Sequence, residues 1–319
     1  MSIVLENLVS HFSCYWYYKA GYQDNYYTNL FIYELIPLGR LRNKKLDLGW
    51  SARLELKFSN SNNRTLLDYR KHHGPLQVQK PFYPEPNGTC HIYILHPPGG
   101  VVGGDHLNIS INVNPKAHTL ITTPAAGKFY RSSGAVARQE QIIKIEPQGI
   151  VEWFPSESII FSGAKAQIKT KVELSCDSHF MGWEILCLGR PASNESFSRG
   201  ELDQRFEVWR EGKPLWIERL KLNGDDNALH AKWGLQGFPV IGNMVCVIDK
   251  VELVDEINKI SSPMGEQELF SATQTDGIII CYFMGNSVER CRSHLIKVWK
   301  ILRQNVIQRE AVEPRIWAT

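Results

Sequence analysis

A glycine-rich string that opens a strand instead of a helix sets the first limit on how this chain folds. The string lies in His96–Ser132, HPPGGVVGGDHLNISINVNPKAHTLITTPAAGKFYRS. Glycines that cradle a phosphate stand at a helix N-terminus, where free N–H groups and the dipole hold the anion, and a P-loop adds Lys followed by Ser or Thr. After Gly103, Gly104 and Asp105 the pattern instead alternates: Leu107, Ile109, Ile111 and Val113 are apolar, whereas Asn108, Ser110, Asn112 and Asn114 are polar. Such alternation describes a strand with one wet face. Gly99, Gly100, Gly103 and Gly104, with Pro97 and Pro98, are therefore expected to shape a tight, exposed loop between strands. Nucleotide binding is not expected there.

Period two recurs from Trp50 to about residue 248. Arg53–Phe58 alternates, and so does Gln167–Leu174, where Ile168, Val172 and Leu174 face one way and Lys169, Lys171 and Glu173 the other. Phe206–Arg210 and Leu215–Leu222, with Glu211, Gly212, Lys213 and Pro214 between them, read as a hairpin. Short strands punctuated by Gly and Pro predict a mainly β body of layered, antiparallel or mixed sheets. The last quarter changes period. Val288, Cys291, Leu295, Val298, Leu302 and Val306 predict an amphipathic helix from about Val288 to Arg309, capped by Asn286 and Glu289 and packed on its own sheet. Asp249–Ile260 suits a short helix, and Ser262 before Pro263 suits a helix start. Residues 1–47 differ from the rest, being crowded with aromatics and lacking either period; they read as an atypical extension or translated leader.

Charge and cysteine usage narrow the partners. A net charge of +3 in a 319-residue chain that is 22% charged, without a basic block, gives no field for nucleic acid. No window approaches eighteen uninterrupted apolar residues, so no membrane helix is predicted. Seven cysteines without a CxxC pair fit a reducing, cytoplasmic setting, with Cys187 and Cys246 in apolar runs as core thiols.

Two constellations bear on chemistry. Cys90, His91, His96, His106 and His118 form a dense run of soft and imidazole donors, among which Cys90, His96 and His106 are weak candidates for a nickel or zinc site. Alternation on a strand from Cys90 to Leu95 lets Cys90 and His96 share a face while His91 points away. Glu152, Glu157 and Glu184 sit among large apolar residues, where a carboxylate is costly unless paired or hydrated. They suit three roles: ion-paired structure neutralised by Arg190 or Arg131, the lining of a polar passage, or a hydrolytic acid/base pair. No Gly-x-Ser-x-Gly, HExxH or GK[ST] string is present, so nucleophilic, zinc-peptidase and P-loop chemistry lack support.

The glycine-rich segment resembles the urease accessory protein D family (UreD, also called UreH). So do GWSARLELKF (Gly49–Phe58), GPLQVQKPFYPE (Gly74–Glu85), EWFPSESIIFSGA (Glu152–Ala164), GWEILCLGRPAS (Gly182–Ser193), WGLQGFPV (Trp233–Val240) and PRIWAT (Pro314–Thr319). The likeness runs from about residue 48 to the end. It implies a non-enzymatic chaperone and scaffold, β-helix-like with a few C-terminal helices. Such a scaffold acts with accessory protein F and the GTPase accessory protein G on urease apoprotein while nickel is inserted, without a tightly bound cofactor of its own and with Ni²⁺ in transit. It moves Glu152, Glu157 and Glu184 toward the passage role, and makes the Gly99, Gly100, Gly103 and Gly104 loop and Trp317 candidate partner contacts. One departure stands out: the family is expected to carry Asp in an F-D-G-A string where this chain has Ser162. The rival readings are a metallochaperone with its own site in Cys90–His118 and a carboxylate-dependent hydrolase.

Overall fold

The computed structural model describes residues 49–248, 252–260, 267–275 and 277–318. The sequence expectations for 1–47, for 249–251 and for the Ser262–Pro263 helix start lie outside the described residues. From β1 (Ser51–Ser61) the chain runs through β2 (Arg64–His73), β3 (Gln77–Val78), β4 (Cys90–Leu95), β5 (His106–Val113), β6 (His118–Thr122) and β7 (Gly127–Phe129). It continues through β8 (Ala137–Ile145), β9 (Ile150–Phe154), β10 (Ser158–Ile160), β11 (Lys165–Leu174) and β12 (His179–Leu188). The last strands are β13 (Glu201–Arg210), β14 (Lys213–Asn223), β15 (Val240–Val247), β16 (Leu269–Thr275) and β17 (Ile278–Gly285). Helices α1 (Val254–Ile257) and α2 (Val288–Leu302) complete the regular elements.

The chain visits two sheets in turn, which makes a coil. One sheet has the order β14-β13-β11-β8-β5-β1-β2, with β1, β5, β8, β11 and β13 parallel to their neighbours and antiparallel β2 and β14 at the edges. The other has the order β16-β17-β15-β12-β9-β6-β4-β3, with β4, β6, β9 and β12 parallel; β7 and β10 pair beside β12. Each coil brings the chain back one strand over, so His106 lies opposite Arg138 and Ala137 opposite Ala166. The mainly β layering expected from the period and the β-helix-like stacking implied by the resemblance are what form. A parallel neighbour cannot be reached by a tight hairpin, so each coil crosses to the other sheet and back.

Burial follows from what each face meets. In β5 the pattern alternates strictly, with Leu107, Ile109, Ile111 and Val113 inward as predicted. β11 alternates too, and Thr170 takes the inward position that its parity with Ile168 and Val172 requires, polar though it is. The second sheet is covered on both faces, so β12 and β15 are buried almost throughout, as continuous apolar runs such as these require. Cys187 and Cys246 are buried there as expected. One core fills the space between the sheets; the other lies between the second sheet and α2. Cys291, Leu295, Val298, Trp299 and Leu302 form the buried face of α2, each worth about 1.5–3 kcal/mol for full burial of a large apolar side chain.

Four boundaries differ from the sequence reading. The hairpin turn is the two-residue Glu211–Gly212, both with positive φ (+48° and +74°), a conformation that follows the strand twist; a bulge after Val208 absorbs the extra length. Helix α2 is capped by the Ser287 hydroxyl, which accepts the Arg290 N–H, rather than by Asn286. It ends at Leu302 rather than Arg309, passing into a π-turn over Arg303–Ile307 closed by Gln308 in the left-handed region. Of Asp249–Ile260, only Val254–Ile257 is helical among the described residues. None of the described helices is long and apolar enough to cross a membrane.

Candidate functional site

A cavity of about 400 Å³ opens between the two sheets. Exposed Pro97, Ala125 and Lys128 lie along one part of its wall, and buried Gln141, Glu184 and Gln204 along another. The polar wall is built by strand register. Gln141 on β8 donates to the Thr170 hydroxyl on β11 at 3.1 Å; Thr170 donates across the gap to Glu184 Oε1 on β12, and Gln204 on β13 donates to Glu184 Oε2. Along the second sheet, Glu184 stands opposite Asn243 on β15, and Asn243 opposite Tyr282 on β17. Glu218 on β14 meets this row from the other sheet, accepting the Tyr282 hydroxyl at 2.8 Å and a bond from Asn243. A file of polar side chains thus crosses an otherwise apolar sandwich and reaches Tyr282, which is 38% exposed.

No cation pairs with Glu184 or Glu218 among the described residues. Burial pushes the Glu184 carboxyl up to about 7; the bonds from Thr170 and Gln204 oppose that rise and the charge of Glu218 adds to it. Burial also raises Glu218. The Asn243 and Gln141 carbonyl oxygens are buried without a partner, which leaves acceptor capacity along the file.

Glu152 has the opposite surroundings. Its carboxylate is fully buried on the helix side of the second sheet. It accepts from His118 Nε2 at 2.6 Å, Trp299 Nε1 at 2.6 Å and Arg303 Nε at 3.1 Å. Arg303 Nη2 reaches both oxygens of Glu85 at 2.7 Å, and His91 Nε2 lies 2.7 Å from Glu85 Oε1. Bonds from His91 and the Arg303 charge outweigh burial and hold Glu85 down to about 2; His118 and Arg303 likewise hold Glu152 below the ordinary carboxylate range against its burial. Glu157 is also neutralised, accepting Arg292 Nη2 of α2 at 2.5 Å. The neutralising charges are those of Arg303 and Arg292, rather than the Arg190 or Arg131 considered from sequence, while His118, whose own pKa is lowered by burial, contributes a hydrogen bond. Glu85 and Arg303 gave no spacing signal; Arg303 extends the Leu295, Trp299 row by another four residues, the one hint that it faces inward.

The donor run does not converge. Cys90 is buried beside Tyr83 and its thiol is pushed up to about 12 by burial. His96 lines the inter-sheet cavity beside Ile94, on the face that Cys90 and Ile92 also take, but six positions along an extended chain set it about 20 Å from Cys90. His106 is on the half-exposed face of β5, 3.8 Å from Glu140. Among the described residues no group of three or more His, Cys, Asp or Glu is arranged to hold a metal. The glycine loop is locked more tightly than an open contact loop: Asp105 accepts the Trp50 N–H at 2.7 Å and the Val102 N–H at 2.9 Å, and a Cβ on Gly49 would lie 1.9 Å from the Gly104 carbonyl carbon. Gly100 lines the cavity. Trp317 packs on Trp183, Trp299 and Phe154 and donates to Thr122 at 2.9 Å, so its half-buried ring leans on the helix-side core.

The sequence profile of the UreD urease accessory protein family matches residues 51–318. The chain belongs to that family. It is 42% identical over 276 residues to urease accessory protein UreD 2 of Brucella anthropi, covering 86% of this chain and 100% of the relative. It is 42% identical over 275 residues to urease accessory protein UreD of Alcanivorax borkumensis, covering 85% and 93%, and 40% identical over 282 residues to that of Citrobacter koseri, covering 88% and 96%. The UreD family's match begins at the first strand, so the whole coil of sheets and the C-terminal helix belong to the shared fold.

Proposed function

We propose that the protein is a cytoplasmic, non-enzymatic scaffold for urease maturation. It assembles with accessory proteins F and G on the urease apoprotein, leaves GTP hydrolysis to G, and gives Ni²⁺, as cargo, a polar way between its sheets. Membership of the UreD family supports the maturation role. The observation that supports the passage is the file of Gln141, Thr170, Glu184, Gln204, Asn243, Glu218 and Tyr282 crossing an apolar core. A carboxyl that ionises near neutrality exchanges its proton for a cation at small cost. It also has no resident guanidinium to be displaced. Scattered oxygen donors admit an ion and release it, as a route requires and a closed cage does not. Glu152 and Glu157 are each paired with a fixed guanidinium, so the passage we propose runs by Glu184 and Glu218.

Glu184→Gln and Glu218→Gln keep volume and remove charge. With either variant the complex with F and G should elute intact by gel filtration, while urease activation falls at limiting nickel and recovers in excess nickel. Full activation at limiting nickel by both variants would remove the passage and leave the scaffold role standing.

A further inference from the structure

Loops at the ends of several coils enclose a surface cleft of about 740 Å³ that shares no lining residue with the inter-sheet cavity. Three guanidiniums, of Arg131, Arg190 and Arg199, line it against a single carboxylate, Glu195. That carboxylate is already committed: Oε2 accepts Arg190 Nε at 2.8 Å and Oε1 accepts the Ser162 N–H at 3.0 Å. Arg190 is also held over the Phe161 ring, 4.8 Å from its centroid. The side chains of Arg131 and Arg199 have no hydrogen-bond or ion-pair partner among the described residues. Two uncompensated guanidiniums therefore share one concave surface.

The frame around them is set before any ligand arrives. A Cβ on Gly189 would lie 2.3 Å from the Glu195 carbonyl oxygen, and one on Gly200 would lie 2.3 Å from that of Ala164, so the loops meet backbone to backbone. The Ser162 and Ser198 hydroxyls are 3.3 Å apart across the cleft. Such fixed walls lower the ordering cost of binding. Val102, 46% exposed, adds an apolar spot to the lining.

We propose that this cleft docks an acidic segment of a protein partner, whose carboxylates bridge Arg131 and Arg199 while an apolar side chain covers Val102. Guanidinium forks match carboxylates in two-point contact. A nucleic acid needs a continuous basic track, and the neighbouring sheet surface interleaves Lys165 with Glu201 and Lys169 with Glu140 instead. A lone phosphate prefers converging backbone N–H groups, whereas here the Ser162 N–H is given to Glu195 and the Ser132 N–H to Gly163. The inference rests on the scaffold reading, since it supplies that scaffold with a contact.

The test uses the full chain and a fluorescein-labelled hexaglutamate peptide, with hexaglutamine as the uncharged control. Fluorescence anisotropy should show hexaglutamate binding that weakens with salt, and no hexaglutamine binding. The Arg131→Gln/Arg199→Gln double variant should bind about tenfold more weakly, the loss of two exposed charge pairs. The Arg70→Gln/Lys71→Gln variant, with the same charge loss on β2, should bind like the parent. Equal weakening in both variants would reduce the effect to net charge and overturn the proposal, as would full displacement of the peptide by equimolar inorganic phosphate. Urease activation is scored separately: a chain that supports activation yet fails the peptide test loses this cleft and keeps its scaffold role, whereas one that binds the peptide and never supports activation loses the scaffold.

Discussion

Glu152 and Glu184 sit on the same sheet, both buried, and face opposite sides of it. Glu152 looks toward α2 and meets His118, Trp299 and Arg303; Glu184 looks into the gap between sheets and meets only Thr170 and Gln204. The first carboxylate is held ionised below its ordinary value of 4.5, and the second is pushed up to about 7. Burial penalises both. What differs is whether a fixed cation offsets the penalty, and that decides whether a buried carboxylate serves as a structural tie or stays available to a visiting ion.

The sharpest way to break the contrast is to remove the cation. Arg303→Met leaves Glu85 and Glu152 buried without their guanidinium, and should cost about 5 kcal/mol in urea unfolding, the upper end for a broken buried pair. A loss under about 1 kcal/mol would mean that the cluster ties nothing. Glu152→Gln should cost less, about 3 kcal/mol near neutrality. Because the folded pKa lies below the unfolded one, this contribution is present above pH 4.5 and fades as the pH falls through the folded value, so parent and variant should converge on acidification.

Glu184→Gln should go the other way. A raised folded pKa gives a contribution that is full below pH 4.5 and is lost as the pH rises through about 7. The variant should therefore gain about 2 kcal/mol at pH 8 and little at pH 4.5, read as a pH-dependent difference in Tm. Destabilisation of the variant at pH 8 would show Glu184 to be a structural tie like Glu152. The smallest effect belongs to Trp317→Phe, which keeps the aromatic packing and loses the bond to Thr122, for about 1 kcal/mol by thermal unfolding. No change would mean that the bond to Thr122 ties nothing.

Much of this fold was legible because alternation has a parity. Leu107, Ile109, Ile111 and Val113 could only share a face, and in β5 that face is inward. Parity failed where both faces are covered. In β9 and β12 nearly every residue is buried, so nothing in the spacing said that Glu152 points at a helix and Glu184 at a second sheet. Thr170, Gln141 and Gln204 read as ordinary polar strand residues, and Glu218 lay in a hairpin arm read for its turn alone. Their common destination depends on register between strands of different sheets, which one strand's pattern does not contain. Trp317 shows a related gap: nothing in its spacing said that its ring packs on Trp183, Trp299 and Phe154.

Arg303 follows Glu85 by 218 residues and Glu152 by 151. During synthesis both carboxylates leave the ribosome long before the guanidinium that neutralises them; His91 and His118, made earlier, bring hydrogen bonds to the cluster but no guanidinium. The helix-side core therefore cannot close until the chain has been made through Arg303. Closure of that core is a late event in synthesis, and a chain cut just upstream of Arg303 leaves Glu85 and Glu152 buried without their guanidinium in an otherwise finished sheet.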